Sequence, residues 1–199
     1  FFSCGYQLAF ITAHFPALVT EMSAPIDPLG WCGDLGIETT AALGGFAISV
    51  IGGANIIGTL MAGWAGKRFG KKWLLSGIYA GRSIAAAWFI LTPITANTVL
   101  IFSFAMGFLW LATVPLTSGL VAHIYGIRYM ATLYGIVFFS HQVGSFVGVY
   151  LGGVLYDMYG SYTTVWWIGI AVGVFSSLIH LPIREEGRLS PRGAMFNKA

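Results

Sequence analysis

Six apolar runs of about 20 residues follow one another along this chain, separated by short polar connections. A helix needs roughly 20 residues to cross the hydrocarbon of a bilayer, so each run is long enough for one crossing. The strands of a membrane barrel alternate apolar and polar residues, whereas these runs are continuously apolar. The sequence therefore predicts an all-α polytopic membrane protein whose spans, named A to F, cover about residues 1–20, 39–63, 73–93, 98–122, 131–156 and 162–182.

The composition agrees with a protein immersed in lipid. Apolar residues make up 57% of the 199 residues, charged residues only 9%, and an ordinary soluble domain has about a quarter charged residues. The net charge of +3 is too small to indicate nucleic acid as a partner. Cys4 and Cys32 show no metal-ligand or disulfide spacing. Because no catalytic motif is present either, the sequence predicts no enzyme, no metal site and no cofactor.

Basic residues concentrate in alternate connections. Nine of the ten cations lie in the B–C connection, the D–E connection and the tail, whereas the A–B connection has four acids and no cation. By the positive-inside rule, both termini are cytoplasmic. We therefore expect a transmembrane bundle over 1–182 and a cytoplasmic tail over 183–199, in a bacterial inner membrane. The chain also opens inside an apolar run, which suggests a piece of a longer polypeptide.

An internal repeat is visible at an offset of 90 residues. The shift aligns GTLMAGWAGKRFG (58–70) with GVYLGGVLYDMYG (148–160), so that three glycines coincide in each copy. The offset maps spans A to C onto D to F, which is an odd number of spans. The two copies are then inverted relative to each other, as in secondary transporters. The alternative is a chance match between glycine-rich segments.

Small residues recur every fourth position along spans B and E. Such faces let helices approach closely in lipid. Two alternatives are open for their partners: the other spans of this chain, or helices that the chain does not contain. The positions are Ala41, Gly45, Ser49 and Gly53 on span B and Gly144, Gly148 and Gly152 on span E.

Two loop segments resemble a known family. GWAGKRFGKK, at 63–72, is similar to the loop signature of the major facilitator superfamily, which reads Gly, a usually acidic position, then basic, Gly, basic, basic. GGVLYDMYGSY, at 152–162, resembles the end of the family's eleventh helix. Together with CGYQLAFITAHFPAL and NIIGTLMAG, the pattern is most similar to the bacterial branch related to monocarboxylate transporters and oxalate/formate exchangers. The resemblance covers almost the whole chain, aligned with the second half of a twelve-helix transporter.

The resemblance implies a function and partners. It implies transport of a small organic anion, such as a monocarboxylate, by alternating access with proton coupling or exchange. Spans B and E would pack against a first six-helix half on the same or a separate chain. Lys67 stands where the family most often has Asp, which puts a complete cytoplasmic latch in doubt. The alternative is a non-transporting subunit of a larger membrane complex. The loop-motif residues are Gly63, Lys67, Arg68, Gly70, Lys71, Asp157 and Gly160.

Polar residues deep in the apolar spans are the candidate substrate ligands. Arg82 lies near the middle of span C, where a cation costs roughly 2.5 to 3.5 kcal/mol and needs a partner or a water-filled cavity. It can bind a carboxylate, or it can be structural and bonded to carbonyls and neighbouring polar side chains. Gln7 and His14 share one face of span A. His14 can bind an anion or carry a proton, or it can be a bonded interfacial residue.

Spans B, D and E add further candidates. Trp110, Thr113 and Thr117 share a face of span D and would offer an apolar wall with two hydroxyls. Asn55 on span B and His141 and Gln142 on span E can line the pathway or bond between helices.

Overall fold

The computed structural model describes residues 1–22, 24–26 and 30–185, and this part of the chain is helical without strands. The all-α prediction is confirmed. Residues 186–199 of the predicted tail lie outside the described residues. The helices are α1 (Phe2–Met22), α2 (Trp31–Asp34), α3 (Thr40–Ala65), α4 (Lys71–Leu91), α5 (Ala96–Leu109), α6 (Thr113–Tyr125), α7 (Met130–Tyr159) and α8 (Thr163–His180), with a 3-10 turn at Ile127–Tyr129.

Five helical stretches in the described residues are long and apolar enough to cross a membrane. They are α3, α4, α5 with α6, α7 with its preceding turn, and α8. Helix α1 takes the place of span A. Its 21 residues correspond to about 30 Å of helix, and they include the polar side chains of Gln7 and His14. The architecture is that of a half major-facilitator fold in an integral membrane protein.

Span D, predicted as one helix over 98–122, is two helices separated at 110–112. Pro115 accounts for this break, because a proline has no amide hydrogen and its ring collides with the carbonyl four residues earlier, that of Leu111. The chain leaves the helical path at 110–112, where the carbonyl of Gly107 accepts from the amide of Trp110, so the amide of Leu111 has no helical acceptor. It donates instead to Oδ1 of Asn55 on α3, at 3.0 Å.

The helices pack in a pattern that the 90-residue repeat explains. Helix α1 packs mainly on α7, α3 on α5, and α4 on α8. Under the repeat, α1, α3 and α4 correspond to α5 with α6, α7 and α8. The α1–α7 contact is therefore the counterpart of the α5–α3 contact, and the α4–α8 contact is its own counterpart. This exchange is what two inverted three-helix repeats require.

Glycines at equivalent positions of the repeat have equivalent surroundings. A Cβ on Gly58 would overlap the carbonyl oxygen of Phe108 on α5, and a Cβ on Gly148 would overlap that of Tyr6 on α1. Gly63 and its counterpart Gly153 both have open space around them.

The third glycine pair differs in conformation. Gly70 precedes α4 with φ −57°, whereas Gly160 ends α7 in the left-handed region with φ 62°. The repeat is thus preserved where helices pack and has diverged at the loop ends.

The two small-residue faces have different partners. On α7, Gly144, Gly148 and Gly152 are buried, and Cβ atoms there would overlap the α1 backbone or the His14 ring. These glycines are therefore used within the chain and are not the surface for an absent helix. On α3, the four small residues 41, 45, 49 and 53 are exposed, and Gly45 and Gly53 have no neighbouring atom within 4 Å. This α3 face is open.

Aromatic side chains form the apolar core at one end of the bundle. The rings of Phe89 on α4 and Phe102 on α5 stack with their centroids 4.5 Å apart. Phe15 of α1 and Trp166 of α8 pack against Phe102, at 5.2 and 5.5 Å. This core joins four helices and fixes α1 relative to α4 and α8.

Candidate functional site

Arg82 is a fully buried cation, with 0% of its surface exposed, midway along α4. One guanidinium nitrogen, Nη1, lies 3.4 Å from Sγ of Cys4 on α1, to which it donates. The other two, Nε and Nη2, have no hydrogen-bond partner. The structural alternative, an arginine bonded to carbonyls and neighbouring polar side chains, is met at this one nitrogen. The side chain is held at one nitrogen and has two free donors.

Residues of three further helices surround this guanidinium. Sγ of Cys4 also lies 3.4 Å from Oγ1 of Thr113 on α6, and the ring of His141 on α7 lies beside the same thiol. Tyr79 is one turn before Arg82 on α4 and is fully buried. We call these five residues the Arg82 cluster.

Unpartnered polar atoms concentrate in and next to this cluster. Besides the two Arg82 nitrogens, they include the Tyr79 hydroxyl, Nδ1 of His141 and, one turn beyond Thr113, Oγ1 of Thr117. Each buried polar group without a partner costs about 1–3 kcal/mol, and native interiors contain few of them. Most of these atoms can donate a hydrogen bond. The cluster is therefore suited to a group rich in acceptors, such as a carboxylate.

No carboxylate of the described residues lies near Arg82. Their acids occupy helix ends and connections. A buried cation needs either an opposite charge or a polar cavity, because desolvation costs several kcal/mol. Within the described chain, the Cys4 thiol is a group able to become negative that bonds directly to Arg82. The described acids are Glu21, Asp34, Glu38, Asp157 and Glu185.

Gln7 and His14, predicted to act together on one face of α1, bond to different helices. The side-chain amide of buried Gln7 donates to the carbonyl of Gly169 on α8 at 2.8 Å. Nε2 of His14 lies 3.0 Å from the carbonyl oxygen of Val149 on α7. The interfacial alternative therefore describes His14, which joins α1 to α7 away from the Arg82 cluster.

The candidates on α3 and span D are divided by the helix break. Asn55 binds the free amide of the break and accepts a hydrogen bond from Thr59 at 3.2 Å. Trp110 lies in the apolar core, whereas Thr113 and Thr117 lie on α6 and are buried. Because of the break at 110–112, the tryptophan and the two threonines do not lie on one continuous helix.

On α7, two neighbouring candidates point in different directions. His141 is buried in the Arg82 cluster, whereas Gln142 is exposed. The exposed side chain is not part of the cluster.

Sequence reasoning missed Cys4 and Tyr79. Cys4 shows no metal-ligand or disulfide spacing in the sequence, yet it precedes Gln7 by three residues and so lies on the same side of α1. Tyr79 stands in the same relation to Arg82 on α4. The spacing of three residues from Cys4 to Gln7 and from Tyr79 to Arg82 was the signal in the sequence that could have identified them.

The loop signature is organised around the start of α4. Lys67 and Arg68 are exposed, and the Arg68 guanidinium lies 4.6 Å from the centre of the Trp64 ring. The backbone amide of Lys72 donates to the Glu185 carboxylate, from the segment after α8. An acid outside the signature thus satisfies the amino-terminal amides of α4, where negative charge is favoured.

The remaining signature residues contribute little packing. Lys71 lies near Gly119 of α6, Gly63 has open space around it, and Asp157 is exposed near the far end of α7.

Comparison with known proteins agrees with this architecture. The family model of the Major Facilitator Superfamily matches residues 2–196. The chain is 27% identical to the Uncharacterized MFS-type transporter YcxA of Bacillus subtilis over 186 residues, which cover 90% of this chain and 41% of that protein. It is 28% identical to the MFS transporter asaE of Aspergillus flavus over 127 residues, or 62% of this chain and 28% of the relative. The chain thus spans less than half the length of the curated relatives it matches, and it belongs to the major facilitator superfamily.

Proposed function

We propose that this chain is the carboxy-terminal half of a secondary transporter that moves a small organic anion, such as a monocarboxylate, by alternating access. The observation that carries the proposal is Arg82, fully buried with two unpartnered guanidinium nitrogens. A carboxylate can accept two parallel hydrogen bonds from an arginine. It would also supply the negative charge that the described chain lacks at this depth.

The two threonines of α6 complete the proposed binding site. Thr113 is fully buried against Cys4, and Thr117 is buried with an unpartnered hydroxyl. Hydroxyl donors on a second helix would orient the anion relative to Arg82 and disfavour apolar molecules of similar size. His141 contributes a further polar side chain to the proposed site from α7.

Membrane orientation follows from the charged connections. Lys67, Arg68 and Lys72 lie next to or at the start of α4, and Arg128 lies before α7. Because successive spans alternate in direction, these two connections lie on the same side as the end of α8. The positive-inside rule supports a cytoplasmic location for that side and for both termini, and the membrane that we propose is a bacterial inner membrane.

The open face of α3 supports contact with a first six-helix half. Its small residues are exposed, and the Bacillus relative is more than twice as long as the matched region. On α7, the surface available for the same partner carries Gln142, Phe146 and Tyr150, which are exposed, and not the buried glycines. The partner half can belong to the same or to a separate polypeptide.

The proposal is tested by uptake of labelled monocarboxylates into proteoliposomes that contain the whole polypeptide. Arg82→Gln is expected to abolish both net uptake and exchange, because it removes the charge and two donors. Arg128→Gln removes an exposed cation outside the loop signature and serves as the matched control, with transport retained. Transport at the wild-type rate by Arg82→Gln, at equal membrane content, would refute the proposed site.

A non-transporting subunit is the second candidate function, and Lys67 in the usually acidic position of the loop signature favours it. The two candidates differ in what lies upstream of Phe1 in the coding sequence. A continuous reading frame that encodes six further spans supports the transporter, whereas a start codon at this point supports the subunit.

A further inference from the structure

We propose that the Cys4 thiol carries the proton that accompanies each transported anion. In the empty site a Cys4 thiolate neutralises Arg82, and in the loaded site the carboxylate takes over this pairing while Cys4 is protonated. This inference rests on the proposed function. It adds the residue that couples anion binding to a proton.

The geometry singles out Cys4 as the internal counter-charge. Its Sγ lies 3.4 Å from Nη1 of Arg82, and both residues are 0% exposed. No carboxylate of the described residues reaches this depth. A buried guanidinium without an opposite charge is strongly destabilising, and thiolates form next to arginine or lysine. The two unpartnered Arg82 nitrogens show that the thiol leaves part of the guanidinium available for a ligand.

The proton step balances in both directions. When a monocarboxylate binds, its oxygens accept hydrogen bonds from Arg82, and the Cys4 thiolate takes a proton from water on the side where the anion entered. One S–H bond forms, and no redox change occurs. When the anion leaves on the other side, the S–H bond breaks and the proton follows it into water. Each cycle therefore moves one anion and one proton, and both the empty and the loaded site are electrically neutral.

Other titratable groups around Cys4 are potential rivals. His141 and Tyr134 face it from α7, and Arg82 and Tyr79 from α4. The Phe1 amino group is also close, and in a longer polypeptide that nitrogen is an uncharged amide. His180 of α8 stacks on Tyr79 with the ring centroids 5.2 Å apart. Helix α3 contains no titratable residue, and on α6 His123 and Tyr125 are exposed at its end.

Transport by the whole polypeptide in proteoliposomes tests the coupling. For Cys4→Ser we expect carboxylate exchange to persist, because exchange needs no net proton release, while accumulation driven by a pH gradient falls to the equilibrium level. Cys4→Ala should behave in the same way. Cys32→Ser removes the other cysteine, which lies in α2, and should leave both activities unchanged. His141→Gln can lower the rate of exchange, because this residue borders the site, but the accumulation ratio that it reaches under a pH gradient should equal that of the wild type.

Infrared difference spectroscopy gives a second readout that does not depend on turnover. On saturation of the purified whole polypeptide with a monocarboxylate at neutral pH, we expect the S–H stretching band of one thiol to appear. The band should be absent in Cys4→Ser and present in Cys32→Ser. Arg82→Gln should abolish the anion-induced change, because the anion no longer binds.

The outcomes separate this inference from the proposed function. If Cys4→Ser accumulates carboxylate with a pH gradient, or if the wild type binds the anion without a new S–H band, Cys4 is not the proton carrier and the anion site stands. If His141→Gln alone loses coupling, the histidine carries the proton and the inference is overturned. If the wild type neither binds nor transports any carboxylate, the proposed function fails and the inference fails with it.

Discussion

Gly148 and Gly153 lie five residues apart on α7 and have opposite surroundings, so alanine substitution at each tests the packing of the repeat. A Cβ on Gly148 would lie 3.1 Å from both the carbonyl carbon and the Cα of Tyr6, and it would overlap the Tyr6 carbonyl oxygen. These are backbone atoms of α1, so no side-chain rotation can relieve the clash. At Gly153 there is no atom within 4 Å.

Two opposing effects set the expected change in the free energy of unfolding: helix propensity and overpacking. Alanine is favoured over glycine inside a helix by about 1 kcal/mol, so Gly153→Ala should be neutral or slightly stabilising. Overpacking typically costs 1–3 kcal/mol, and at Gly148 a rigid backbone places the cost at the upper end. The two variants should therefore differ by about 2 kcal/mol or more. For a chain of this size that corresponds to a difference in Tm of about 4 °C or more.

The assay is thermal unfolding of the purified protein in detergent, followed by loss of the monodisperse species on size exclusion. The inverted repeat adds an internal check: Gly58→Ala on α3 should behave like Gly148→Ala, and Gly63→Ala like Gly153→Ala. Equal melting temperatures for Gly148→Ala and Gly153→Ala would refute the α1–α7 contact described here. A lower Tm for Gly148→Ala together with an unchanged Tm for Gly58→Ala would contradict the equivalence of the two repeats.

Three further substitutions address single hydrogen bonds. Asn55→Leu leaves the Leu111 amide without an acceptor and should cost about 1–3 kcal/mol, read as a lower Tm, whereas Gln142→Leu on an exposed face should change little. His14→Ala removes the bond to the Val149 carbonyl and should cost about 0.6–2 kcal/mol while the uptake rate per folded molecule is retained; a loss of uptake would return His14 to the site. Glu185→Gln removes the charged acceptor at the start of α4 and should cost about 0.3–1 kcal/mol at low ionic strength, a loss that added salt reduces.

The existence and type of the helices were predictable because lipid demands long apolar runs. The break in span D was missed although Pro115 is visible in the sequence, because a run of apolar residues reads as one span whether or not a proline interrupts it. The hydrogen bond between Asn55 and the Leu111 amide could not be predicted from the sequence, because these two residues lie 56 positions apart. Only the packing of α3 on α5 brings them together.

The same distinction applies to the candidate site. Arg82 could be identified from the sequence without knowledge of its neighbours, because a cation in the middle of an apolar span costs free energy whichever way its side chain points. Its partners could not, because Cys4 is 78 residues from Arg82 and 109 from Thr113. Likewise, glycine spacing showed that one face of span E packs closely but not which helix it meets.

Packing and chemistry are connected at the α1–α7 interface. A Cβ on Gly5 would overlap the carbonyl oxygen of His141, and one on Gly144 would overlap that of Phe2. These two glycines therefore flank the point at which His141 meets Cys4, and the close approach of the two backbones is what brings the imidazole to the thiol. A side chain at Gly144 would push α7 from α1 at this level and separate the two groups. Close packing by glycine thus builds the Arg82 cluster.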